Sequence, residues 1–177
     1  MNSRLLRKIA PAFILISCFF ALHAPAQSPA QSPAAKNTMG IPQASIDKMT
    51  NLLQATGFPY RTTNSPTVWV VHFNGAHLKD IKVILALDPD PDSEIIIFVT
   101  VAEKRRMPTT TEFRYKLLKM NHEYDLVRVG LDHDDDLSVR TDASLRVADT
   151  TYLRNLVDQV KRASDDIYGQ IEGDLLP

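Results

Sequence analysis

The sequence predicts an α+β fold in which helices cover mainly one face of an antiparallel five-stranded sheet. Three observations support this class. Apolar residues recur at helical spacing in three segments, runs rich in β-branched and aromatic residues lie between those segments, and strands follow one another without an intervening helix. The expected order of elements is α-β-β-β-α-β-β-α.

The first two helices have recognisable ends. The first is predicted over residues 45–56, and Gly57 is placed to stop it because glycine readily adopts a left-handed conformation. The second is predicted over residues 109–124. Thr110 or Thr111 can cap it, because a hydroxyl there accepts a hydrogen bond from an amide of the first turn.

Five strands and a last helix complete the predicted domain. The last helix begins at Asp149 or Thr150, and its end is expected to fray from Gly169. The run over residues 94–101 is almost continuously apolar, which predicts a central strand that is buried on both faces. The predicted strands cover residues 67–73, 80–87, 94–101, 126–131 and 137–141.

The less covered face of this sheet supplies the candidate binding residues. Side chains alternate between the two faces of a strand, so Ile96 and Phe98 point away from Ile95 and Ile97. If the helices cover one face, Ile96 and Phe98 lie on the other, and an exposed apolar face of this kind usually marks an interaction site. Trp69 is expected in the core.

The N-terminus is expected to direct export. Residues 1–26 read as a signal peptide, with a basic start followed by an apolar run over residues 9–22. That run is shorter than the ~20 residues needed to span a bilayer. The small side chains of the segment Ala24-Pro-Ala26 favour cleavage before Gln27, which predicts a periplasmic or secreted protein with no membrane span after cleavage.

Cys18 leaves a second mode of processing open. The segment Leu15-Ile-Ser-Cys18 resembles a lipobox, and acylation there would make the protein a membrane-anchored lipoprotein, an envelope scaffold. The apolar run continues through Phe19 and Phe20, which favours cleavage further on. Cys18 is the only cysteine, so a chain cleaved before Gln27 has no disulfide, thiolate metal site or cysteine nucleophile.

Composition after cleavage is that of one small domain. Residues 27–41 contain a doubled Gln-Ser-Pro-Ala and are expected to form a flexible tether, which leaves residues 42–172 as a single domain. The signal carries three of the 20 Lys+Arg residues and none of the 21 Asp+Glu, so the remainder has a formal charge of −4. This balance argues against nucleic acid as a partner.

Two stretches late in the chain resemble a known family. The segment Leu117-Leu-Lys-Met-Asn121 leads into Val129-Gly-Leu-Asp132 and then into Asp134 to Leu137. Together with the order of elements over residues 43–170, this resembles the YbjN-type domain. That domain is itself similar in fold to the class I type III secretion chaperones of the Tir-chaperone group.

The resemblance implies a homodimer that presents a sheet and helix surface to a polypeptide. It implies no catalytic residues. The secretion chaperones are cytosolic and strongly acidic, whereas this chain carries a predicted export signal and is mildly acidic. The resemblance therefore implies the fold, dimerisation and a protein-binding surface, and it does not carry over the chaperone role intact. The leading hypothesis is an exported, non-enzymatic, homodimeric protein-binding module that acts as a chaperone-like protein or an adaptor.

Two acidic loops are candidate metal sites. The run from Asp132 to Asp136 begins like a calcium loop, but Leu137 and Ala143 stand where an EF-hand needs glycine and glutamate. A solvated hairpin turn is expected instead. The carboxylates of the segment 88–92 alternate with proline, which keeps them apart, so no metal and no cofactor is predicted.

A small periplasmic hydrolase is the enzymatic alternative. It would use His72 or His133 with a neighbouring carboxylate, since such constellations are spatial and leave no fixed spacing in a sequence. The sequence contains no His-Glu-x-x-His motif, no Gly-x-Ser-x-Gly elbow and no glycine-rich phosphate loop. No catalytic residue is therefore assigned.

Overall fold

The computed structural model describes residues 40–89 and 94–177, so most of the predicted export segment and tether lies outside the described residues. The helices are α1 (Gln43–Thr56), α2 (Thr111–Met120) and α3 (Thr150–Ile171). The strands are β1 (Tyr60–Thr62), β2 (Val68–Phe73), β3 (Ile81–Leu87), β4 (Glu94–Ala102), β5 (Arg128–Leu131) and β6 (Leu137–Ser144). Single 3₁₀ turns follow β4 and α3.

All strands of the described chain belong to one antiparallel sheet in the order β1-β2-β3-β4-β6-β5. Strand β4 pairs with β3 on one side and β6 on the other, which confirms the central position predicted for residues 94–101. The chain leaves β4 through α2, forms β5 at the edge and returns as β6 beside β4. Strands β1 and β5 are therefore the two edges.

The α+β class is confirmed, but the predicted strand number is wrong: the sheet has six strands. The additional strand, β1, is three residues long and pairs Arg61 with Val70 of β2. Its sequence, Tyr-Arg-Thr, is too short to show an alternating pattern. It forms because β2 offers an unpaired edge. A short stretch of sequence does not show that such an edge lies nearby in the fold.

Helix α2 is shorter than the predicted residues 109–124 because its two ends bind elsewhere. Thr110 is the cap, and its Oγ1 accepts from the amide of Phe113 at 3.2 Å. At the other end, the Asn121 side chain donates to the carbonyl of Val129 at 2.8 Å and accepts from the amide of Val129 at 2.7 Å. Asn121 thus ties the end of α2 to strand β5.

Helix α3 is longer than predicted. It begins after the cap Asp149, whose carboxylate accepts from the amide of Tyr152 at 2.7 Å, as expected. It does not fray at Gly169 but continues to Ile171, which is fully buried. A Cβ at Gly169 would lie 2.6 Å from the ring of His77, so glycine permits the close approach of α3 to the turn before β3.

The core lies between one face of the sheet and the helices. Alternate residues of the strands point into this core, where Trp69 and Ile97 are at most 1% exposed, and α3 packs Leu153 and Val160 into the same core. This confirms the core position predicted for Trp69. Ile41, the last residue of the predicted tether, is also buried there at 2% exposure.

The other face of the sheet is not buried to the same degree. Along β4, Ile95 and Ile97 are buried while Ile96 and Phe98 remain partly exposed. The expectation that this strand is buried on both faces is therefore wrong for the described chain. The reason is that α3 packs on one face only, and a continuous apolar run cannot distinguish a covered face from an exposed one.

One carboxylate joins α3 to the connection between β2 and β3. Asp165 accepts from the backbone amides of Ala76, His77 and Leu78 at 2.8, 2.9 and 2.8 Å. Burial alone would raise the pKa of Asp165, but the three amide hydrogen bonds together outweigh it and hold the pKa below its ordinary value of 3.8. We call this set of contacts the Asp165 clasp.

Candidate functional site

The face of the sheet that no helix of residues 40–89 and 94–177 covers carries a contiguous apolar surface, which we call the open-face patch. Its members are aliphatic or aromatic, point away from the core and are partly exposed. They come from the three neighbouring strands β2, β3 and β4, and they pack side by side rather than under a helix. The patch consists of Val68, Val70, Ile84, Ala86, Ile96 and Phe98.

The strand register aligns part of this patch into a row with an arginine on either side. Val70 is opposite Ile84, and Ile84 is opposite Phe98. The same row continues to Arg61 on β1 at one end, and to Arg140 on β6 and then Arg128 on β5 at the other. The two predicted site residues, Ile96 and Phe98, therefore lie on one face, and Phe98 lies within this row.

A first polar group, the Arg61 cluster, borders the patch at the β1 side. Its members are Arg61, His72, Asp80 and Lys82. The guanidinium of Arg61 lies 2.5 Å from Nε2 of His72, and Nδ1 of the same ring lies 3.1 Å from an oxygen of Asp80. Lys82 lies 3.2 Å from the other oxygen of Asp80. Hydrogen bonds from His72 and then Lys82 hold the pKa of Asp80 below its ordinary value.

A second polar group, the Asp142 cluster, borders the patch at the β5 side. Arg140 Nε donates to one oxygen of Asp142 at 2.7 Å, and Arg128 donates to the other. Two guanidinium groups thus share one carboxylate, which leaves one positive charge uncompensated within the cluster. Both arginines remain well exposed, whereas Asp142 is largely covered by them.

A separate apolar groove lies on the helix side, between α2 and the edge strand β5. We call it the α2–β5 groove. It has a volume of about 480 Å³, and Phe113 and Leu117 form part of its wall. Leu118 on α2 and Leu131 on β5, which also line it, are 68% and 57% exposed. Leucines this exposed on adjacent elements form an apolar surface at the edge of the sheet.

The histidines do not form the hydrolytic site considered from the sequence. His72 does lie beside a carboxylate, but its other ring nitrogen, Nε2, is in contact with the guanidinium of Arg61 rather than with a hydroxyl or thiol. His133 lies 3.3 Å from Asp134 in a turn where both side chains are largely exposed to water. Neither arrangement provides the dry, oriented base that hydrolysis requires.

The acidic run at residues 132–136 forms the hairpin turn that was expected. Oδ1 of Asp132 accepts from the amides of Asp134 and Asp136 at 3.0 Å each, and Asp135 adopts a left-handed conformation with φ 63°. Asp135 also pairs with Lys104 at 2.6 Å, and the hydrogen bond between them raises the pKa of Lys104. Carboxylates of this turn thus form hydrogen bonds and an ion pair within the chain.

Within residues 40–89 and 94–177, no group of three His, Cys, Asp or Glu side chains is arranged to hold a metal ion. None of the helices there combines the length and the apolar character needed to cross a bilayer. Most of the acidic loop at residues 88–92, the other candidate metal site, lies outside the described residues.

The sequence placed Ile96 and Phe98 on one face of β4, but it gave no sign of the residues around them. Alternation along β4 was enough to place those two side chains on one face. Arg61, Arg128 and Arg140 were missed because they come from three strands, one of which was not predicted, and only the pairing register aligns them. The α2–β5 groove was missed because the predicted bounds of α2 do not show which of its leucines stay exposed beside a neighbouring strand.

The sequence and the fold were compared with known protein families and solved structures. A family model described as YbjN, a putative bacterial sensory transduction regulator, matches residues 45–173. No curated protein matches the chain. A solved structure of YbjN, a putative transcription regulator from E. coli, is 15% identical, with 75% of this chain and 95% of that chain covered and a TM-score of 0.49.

The matching structures also include the Yersinia pestis type III secretion chaperone SycH, solved in complex with a stable fragment of YscM2. It is 16% identical, with 68% of this chain and 96% of that chain covered and a TM-score of 0.46. The family model spans most of the chain, and it confirms the resemblance that the segments around Asn121 and Gly130 indicated. The chain belongs to the YbjN family.

Proposed function

We propose that this chain is an exported, non-enzymatic module that binds a polypeptide through the open-face patch. The observation that carries the proposal is the contrast between the two faces of one sheet. Helices bury one face, and the other offers six apolar side chains from three adjacent strands. A surface of this kind loses water-exposed apolar area when a partner covers it, which favours binding.

If the predicted export signal functions, the module would reside in the periplasm or outside the cell. Cleavage before Gln27 would release it, and acylation of Cys18 would instead anchor it as an envelope lipoprotein. Binding through the open-face patch is compatible with both routes. The hydrolase alternative receives no support from the geometry, because Arg61 occupies the nitrogen of His72 that a nucleophile would need.

A photo-reactive amino acid at position 98 is expected to capture a discrete polypeptide in living cells. The same group at Tyr152, which is 41% exposed on α3, is expected to capture none above background. Adding Ile96→Gln should abolish capture from position 98. Glutamine is chosen because Ile96 is opposite Asp142, and a carboxylate there would add repulsion within the sheet.

Thermal melting of the Ile96→Gln protein provides the control, since a partly exposed position should tolerate the change without loss of fold. Equal capture from positions 98 and 152 would contradict the proposal. So would capture from position 98 that survives Ile96→Gln.

We further propose that a second copy of the chain covers the α2–β5 groove. Strand β5 is an edge of the sheet, so its outer backbone groups can pair with another strand. If Gly130 is opposite Gly130 of the second copy in an antiparallel pair, the exposed leucines of α2 and β5 meet across the two-fold axis.

The full chain is accordingly expected to behave as a dimer in light scattering, and the double variant Leu118→Glu/Leu131→Glu as a monomer. The added carboxylates would be buried without partners in the dimer, which is costly. Val147→Glu is the matched control, because Val147 is 66% exposed and does not line the groove. A wild-type chain that stays monomeric at high concentration would contradict dimerisation.

A further inference from the structure

The charges around the open-face patch identify the kind of polypeptide that it fits. Resting on the function proposed above, we infer that the patch binds an amphipathic helix whose apolar stripe is flanked at both ends by carboxylates. The helix lies across the strands, over the row formed by Val70, Ile84 and Phe98, and its carboxylates pair with arginines at the two ends of that row.

Each end of the row carries an excess positive charge. In the Arg61 cluster, two cations, Arg61 and Lys82, accompany one carboxylate, Asp80. In the Asp142 cluster, Arg128 and Arg140 share one carboxylate. The face is thus locally cationic at both ends of the row, although the whole chain has a formal charge of −1.

Glu94, an acidic residue of the same face, favours a ligand that lies across the strands rather than along them. Glu94 lies at the start of β4 on this face, and the amide of Asp88 donates to the carbonyl of Glu94. Glu94 precedes Phe98 by four residues, or about 13 Å along a strand, which is beyond the screening length of about 8–10 Å at physiological salt. An acidic ligand lying along the strands would approach Glu94, whereas one lying across them avoids it.

A helix suits this orientation better than an extended chain. An extended peptide crossing the middle of a sheet face would find no backbone partners there, whereas a helix satisfies its own amides and carbonyls. Arg61 and Arg140 are four strands apart in the row, or about 19 Å at ~4.8 Å per strand. That distance corresponds to about 13 helical residues at ~1.5 Å each, so the two carboxylate groups should be separated by about that number.

The test uses the full chain and two synthetic helical peptides with the same apolar stripe. One peptide carries glutamates at both ends, the other carries lysines, and Kd is measured by calorimetry at low and high salt. The glutamate peptide should bind at least tenfold more tightly than the lysine peptide, with the preference reduced by salt. In the variant Arg61→Glu/Arg140→Glu the preference should reverse, and Arg61→Gln/Arg140→Gln should remove it.

The outcomes separate this inference from the proposed function. Equal binding of both peptides would overturn the role of charge and leave apolar binding in place. If neither peptide binds but position 98 still captures a polypeptide, the helical ligand alone is overturned. If neither peptide binds and position 98 captures nothing, the proposed function is overturned as well. Arginine-dependent binding of the chain to vesicles of anionic phospholipid, without peptide binding, would replace the polypeptide by a membrane surface.

Discussion

Replacing Ile97 by alanine is expected to destabilise the fold by about 3 kcal/mol, whereas the same change at Ile96 is expected to cost about 1 kcal/mol. The two residues are adjacent on β4 and have identical side chains, so strand propensity and chemistry are matched. Ile97 is fully buried against α3, and its truncation leaves a cavity in the core. Ile96 belongs to the open-face patch, where water fills the space that is vacated.

Urea unfolding followed by the fluorescence of Trp69 measures both free energies, because Trp69 is the only tryptophan and is 1% exposed. The unchanged m-value expected for both variants would show that the difference lies in stability. Equal losses at the two positions would mean that the open-face patch is covered in solution by part of the same chain or by another copy.

Asp165→Asn is the second change with a large expected effect, a loss of about 2 kcal/mol at neutral pH, because hydrogen bonds to a charged group are the strong ones. The carboxylate accepts three backbone amides on its two oxygens, and an asparagine side chain offers only one acceptor oxygen. The neighbouring change Asp166→Asn is the matched control. Asp166 accepts from the hydroxyl of Tyr124 at an exposed position, so its loss should cost less than about 1 kcal/mol.

The pH dependence of the Asp165 clasp has a definite sign. The pKa of Asp165 is lowered in the folded chain from 3.8, so its contribution is present at pH values above about 4. As pH falls through the folded pKa, the carboxyl is protonated and the contribution is lost. The stability difference between wild type and Asp165→Asn should therefore shrink below pH 4, and a difference that persists in acid would contradict the clasp.

The parts of the fold that were predictable depend on short-range patterns. Gly57 stops α1, Thr110 caps α2 and Asp149 caps α3, and each of these signals acts within one helical turn. The central position of β4 followed from its apolar run. The open-face patch was anticipated in Ile96 and Phe98 because alternation along one strand needs no knowledge of its neighbours.

The remaining features depend on contacts between distant segments. Strand β1 exists because β2 has a free edge, and Arg61 reaches the patch only through that pairing. The end of α2 is set by Asn121 binding strand β5, which shortened a helix that periodicity alone would have extended. The Asp165 clasp joins a helix to a turn far away in the chain, and no motif in the sequence marks either partner.

The clasp also bears on the order in which the chain can fold during synthesis. The turn at residues 76–78 leaves the ribosome early, yet its acceptor, Asp165, is up to 89 residues further along. Until α3 has been made, those amides are bound to water, and the hairpin of β2 and β3 lacks its three hydrogen bonds to Asp165. Translation of the C-terminal helix is therefore the step that completes the N-terminal half of the sheet, so a truncated or stalled chain exposes apolar strands that the finished protein buries.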